Sequence, residues 1–175
     1  MNKGMKALTV LALVLCAAAV PALAADTALS LVPPNAVTVG VVKFADMRTS
    51  PLSSILFQHT DNFGGNGEAA KFLADAGLDP AKDIDLIVVA TIPRTNLGTE
   101  ADGLVIAEGR FNAAKLGAAL ATRGAVKKQT YFVMPEGEHK HGREGEGAVA
   151  FPSDRLVVMG TETAVVAALA ARSNG

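Results

Sequence analysis

The chain has 175 residues, half of them hydrophobic, with 16 basic and 17 acidic side chains and a formal charge of −1. So even a balance argues against a nucleic-acid footprint, which needs a basic face. Seven phenylalanines, one tyrosine and no tryptophan read as core rather than as exposed stacking platforms.

The first 24 residues read as a cleavable secretory signal. Lys3 and Lys6 give a positive start, Ala7 to Val20 an apolar run broken only by Thr9, and Ala22-Leu23-Ala24 a small-residue cleavage site. The run is shorter than the roughly 20 residues that cross a bilayer. Cleavage near Ala24 removes Lys3, Lys6 and Cys16, moves the formal charge from −1 to −3, and leaves no thiol. Lipidation at Cys16 is the rival, but it wants a small residue where Leu15 stands. The expectation is a periplasmic or secreted protein whose residues 25–175 form a single domain without a transmembrane segment. About 150 residues suffice for a self-supporting core.

Val37 to Phe44 is rich in β-branched residues and reads as the first strand, with Gly40 as a bulge or a point of close approach. Ser50-Pro51 opens a helix carrying Leu52, Ile55, Leu56 and Phe63, and Gly64-Gly65-Asn66-Gly67 breaks it. A second helix runs from about Glu68 to Ala76, burying Phe72 and Leu73 and stopping at Gly77; Leu78-Asp79-Pro80 is a turn. Ile84 to Ile92 is almost continuously apolar and reads as a central strand covered on both faces. Leu104 to Ala107 is a further strand, and Asn112 caps a helix that ends at Gly124. Thr130 to Met134 is a strand, followed by a long polar loop. Val149–Phe151 and Leu156–Met159 form a hairpin, and Thr161 or Thr163 caps a last helix.

The order β-α-α-β-β-α-β-β-β-α predicts an α+β fold: a mainly antiparallel sheet with helices packed on one face. A ferredoxin-like split β-α-β core is the preferred topology. Two strand-to-helix junctions echo each other, at Gly109-Arg110-Phe111-Asn112 and at Gly160-Thr161-Glu162.

Four segments carry a family resemblance: Leu31-Val32-Pro33-Pro34-Asn35-Ala36-Val37, Ser50-Pro51-Leu52, Gly77-Leu78-Asp79-Pro80-Ala81-Lys82-Asp83-Ile84-Asp85, and Glu108-Gly109-Arg110-Phe111-Asn112. Together they resemble exported bacterial proteins that carry a domain of unknown function. The resemblance implies an envelope-associated or secreted α+β module, and it implies no activity.

The most site-like stretch is Pro135 to Gly147. His139 and His141, with Glu138 or Glu136 as a third ligand, are the donors Zn²⁺, Cu²⁺ or Ni²⁺ would choose. Its glycines and charges equally describe a solvated hairpin tip, the reading preferred here. Gly65-Asn66-Gly67-Glu68-Ala69-Ala70 matches a dinucleotide fingerprint but follows a helix rather than a strand. Asp79, Asp83 and Asp85 lack the glycine and terminal glutamate of a calcium loop. No G-x-S-x-G elbow occurs, and His59 near a helix end reads as a partner for the helix dipole. The expectation is a non-enzymatic binding module for a protein or envelope component. Metal binding through Glu138, His139 and His141 is the alternative, and a hydrolase with a scattered site the second.

Overall fold

The computed structural model describes residues 27–48, 50, 68–94, 101–135 and 147–173. The expected signal segment, the helix expected from Ser50-Pro51 to Phe63 and the glycine-rich break after it fall, apart from Ser50, outside those residues. A 3-10 turn, Ala28–Leu31, leads into β1 (Thr38–Lys43) and the one-turn α1 (Phe44–Met47). Next come α2 (Glu68–Asp75), the one-turn α3 (Pro80–Asp83), β2 (Ile84–Pro93) and β3 (Ala101–Gly109). Helix α4 (Ala113–Thr122) precedes β4 (Val126–Lys127), β5 (Tyr131–Val133), β6 (Gly147–Ser153), β7 (Leu156–Thr161) and α5 (Glu162–Ser173).

Helix boundaries follow local chemistry. Asn112 Oδ1 accepts from the Lys115 amide at 2.9 Å, satisfying one of the free donors at the start of α4. Gly77 and Gly124 leave their helices at φ +68° and +83°, the left-handed region that costs glycine nothing. Of the two candidate caps for α5, Thr161 does the work: its hydroxyl accepts from the Ala164 amide at 3.3 Å. The turn expected at Leu78-Asp79-Pro80 winds into α3, because Asp79 caps it and Pro80 fits its first position.

Among the described residues, all strands join one sheet in the order β1-β2-β3-β7-β6-β5-β4, and every neighbouring pair is antiparallel. The α+β class therefore stands. The helices do not share one face. Val88, Ala90, Leu104, Ile106, Ala148, Ala150, Leu156 and Val158 point to one side, where they pack with Ala164, Val165 and Ala168 of α5 and with Leu31. Ala107 and Val157 point to the other, under Phe111 and Leu116 at α4. The cause is legible in β3 and β7, which are apolar at successive positions and need cover on both sides. A ferredoxin-like core keeps its two helices on one face; α4 and α5 lie on opposite faces here.

A second correction concerns β2. It is next to the edge rather than central, and Val89 on its α4 side is exposed. The middle of the sheet is β3 against β7, where Leu104, Ile106, Leu156 and Val158 are fully buried. Each such side chain contributes roughly 1.5–3 kcal/mol by leaving water. The two echoing junctions end these two strands. A Cβ on Gly109 would lie 1.9 Å from the Asp83 carbonyl oxygen, and one on Gly160 would lie 2.3 Å from that of Gly103. Both glycines exist because another backbone passes where a side chain would be.

Candidate functional site

The feature that most needs explaining is β1. Its valines favour extended backbone, and it pairs with β2 without a bulge from Thr38↔Thr91 to Lys43↔Leu86. Among the described residues nothing pairs with its outer side. All six of its residues are exposed, and Val39, Val41 and Val42 keep 46%, 46% and 42% of their surface in contact with solvent. The register puts Val39 and Val41 on the α5 face, opposite Ala90 and Val88, and Gly40 and Val42 on the α4 face. From Gly40 an apolar row continues across the sheet through Val89, Val105 and Met159, of which Val89 and Met159 are exposed.

The exposed strand is pinned at both ends. At its start the Val37 amide donates to the Thr91 carbonyl at 2.9 Å. Beyond its end, the Arg48 guanidinium donates to the carbonyls of Ala81 (2.7 Å) and Ile84 (2.6 Å) and to Asp85 Oδ1 (2.9 Å). This fork fastens the chain after α1 to the start of β2. An edge fixed in this way offers its outer amides and carbonyls without first having to order them.

A second feature is a cleft of about 430 Å³ between the end of α2, the start of α4 and the β6–β7 turn. Leu78, Phe111 and Leu116 give it an apolar wall, and Arg110, Lys115 and Arg155 bring positive charge against Asp83 and Asp154. The arginines already have duties. Arg110 donates to the Lys82 carbonyl and lies 3.9 Å from Asp83; Arg155 lies 3.7 Å from Asp85 and 3.8 Å from Glu108. These contacts tie β2, β3 and the β6–β7 turn together, so the cleft is first a structural junction.

The aspartates weighed as calcium ligands are occupied with the same junction. Asp79 Oδ1 accepts from the Ala81 amide, Asp83 Oδ2 accepts from the Asp79 amide, and Asp85 pairs with Arg48. The Lys82 ammonium, hydrogen-bonded to Asp79 at 2.7 Å, holds the Asp79 carboxyl below its ordinary range and is itself pushed up. Among the described residues, no group of three or more His, Cys, Asp or Glu is placed to hold a metal. Glu138, His139 and His141 lie outside the described residues, as do His59 and Gly65-Asn66-Gly67.

Reading the sequence identified β1 as a strand but not as a bare edge. The signal was present: valines on both faces, and no charge before Lys43. A strand buried on both faces reads the same way, and only the pairing partners separate the two cases. No helix among the described residues is long and apolar enough to cross a membrane. A scan against protein-family models matches no family, and searches of the curated proteins and of the solved structures return no match.

Proposed function

We propose that this chain is an exported binding module, without catalytic chemistry of its own, that takes a partner polypeptide as an added strand along β1. One observation carries the reading: a six-residue, bulge-free, valine-rich strand stands exposed at the sheet edge with both ends pinned. Strand addition draws its affinity from main-chain hydrogen bonds and its selectivity from alternate side chains. Both are on offer here, since β1 has exposed valines on both faces. Export is the part of the reading that rests on the signal-like start of the chain.

The experiment is a selection of displayed random peptides on the exported chain. Enrichment of extended, β-branched peptides that bind the native chain and not the Val39→Lys, Val41→Lys double variant supports the reading. Enriched peptides indifferent to those lysines, or no enrichment, overturn it. Titration with Zn²⁺, Cu²⁺ and Ni²⁺ separates the metal alternative. A rise in melting temperature that disappears in the His139→Ala, His141→Ala variant would move the binding function to the loop.

A further inference from the structure

We propose that the strand added along β1 is a second copy of this chain, paired antiparallel about a dyad at Val41; this rests on the reading of β1 as the docking edge. An antiparallel strand can pair with its own copy only if the register sets compatible side chains opposite one another. With the dyad at Val41, Val42 of each copy stands opposite Gly40 of the other, on the same face. A side chain at Gly40 would meet open space, its nearest neighbour being the Val89 carbonyl oxygen at 4.0 Å. The half-exposed Val42 thus fills a vacant position beside the exposed Val89. Val41 meets Val41 on the opposite face.

Charge disfavours the next register toward Lys43. Lys43 is the only charged residue of β1, and in this pairing it stands opposite Val39. The two lysines are then four residues apart along the strand, about 13 Å, beyond the roughly 8 Å screening length at physiological ionic strength. Moving the dyad to Val42 brings the lysines to half that separation. Moving it to Gly40 sets the two glycines opposite each other and leaves both notches empty. Val41 is the centre at which the notch is filled and the charges stay apart.

The test uses the chain carrying Cys16→Ser, so that an engineered cysteine is the sole thiol whether or not residues 1–24 are removed. Cα atoms directly opposite in an antiparallel pair are about 4.5–5.5 Å apart, within disulfide reach. Val41→Cys is expected to give a disulfide-linked dimer on mild oxidation, and Val39→Cys, whose dyad mate is about 13 Å away, is not. Sedimentation equilibrium of the cysteine-free chain should return twice the single-chain mass. Val41→Lys, with its far-ultraviolet dichroism unchanged, should return one chain mass. A single-chain mass at every concentration, or equal cross-linking at positions 39 and 41, overturns the proposal. If that monomer still captures displayed peptides on β1, only the second-copy inference falls. If it captures none, the docking-edge reading falls with it.

Discussion

The two edges of this sheet are built to opposite specifications. β4 is two residues long; Lys127 lies 5.9 Å from the Phe132 ring, and the adjacent Lys128 reaches Glu162 at 2.5 Å. Shortness and lysine are the usual devices by which a protein keeps a sheet edge from pairing with a stranger. β1 is three times as long, straight in register, and uncharged until Lys43, its final residue. Within the described residues the sheet thus has one short, lysine-bearing edge and one long, exposed edge, and the docking reading proposed for β1 draws on that contrast.

The comparison assumes that both edges depend on one core. Leu104→Ala, at a fully buried position of β3, tests this with the largest effect. It should cost about 3–4 kcal/mol, read from urea unfolding, with strands near both edges melting together by amide exchange. If one edge melted while the other persisted, the sheet would be two units and the contrast would lose its meaning. Arg48→Ala comes next and loosens one edge only. Removing its partly exposed guanidinium leaves two carbonyls and Asp85 without their donor. A loss of about 1–2 kcal/mol is expected, with exchange accelerated in β1 and unchanged in β5. Uniform acceleration would mean that the fork holds the whole sheet rather than its edge.

Much of this architecture is written in local chemistry, and the legible part has a common physical origin. Asn112, Gly77, Gly124 and Thr161 mark their helix ends by side-chain and backbone preferences that act within a few residues. The strands of the sheet's interior announce themselves by apolar runs. What was not legible depends on pairing. Whether Val39, Val41 and Val42 are covered is decided by partners far away in sequence, and Ile84–Ile92 gives the same pattern whether central or next to the edge. Cover on one face or two could have been weighed from β3 and β7, since Ala107 and Val157 continue their apolar runs onto the second side. β4 is too short to leave a periodic trace. The stretch richest in candidate ligands, Glu138 with His139 and His141, lies outside the described residues, and the exposed edge is made of residues without reactive side chains apart from Lys43.

The guarded edge can be stripped as a sharper test. Lys127→Val gives β4 a second β-branched residue beside Val126, itself 63% exposed. Stability should change by no more than about 0.5 kcal/mol, because the lysine is on the surface. New self-association at high concentration, seen by sedimentation, is the expected gain. Absence of any new species would mean that length alone protects this edge, leaving lysine no part in the contrast.

The smallest effect is also the cleanest to read, because Tyr131 is the only tyrosine of the chain. Its hydroxyl donates to Glu162 Oε1 at 2.6 Å, in the clasp that also holds Lys128 beside the guarded edge. The carboxylate favours the protonated phenol, so the hydroxyl is held above its ordinary 10.0, with partial burial adding to the effect and Lys128 opposing it. A group raised on folding contributes stability that is fully present below its unfolded value and is lost as pH climbs through the folded one. The clasp should therefore weaken only above about pH 10. Absorbance of the tyrosinate band reports the titration directly: its midpoint should lie above that of free tyrosine and fall back toward it in Glu162→Gln, whose neutral amide no longer opposes the phenolate. An unshifted midpoint in the native chain would mean that the clasp is open in solution. The guarded edge would then rest on its shortness and on Lys127 alone.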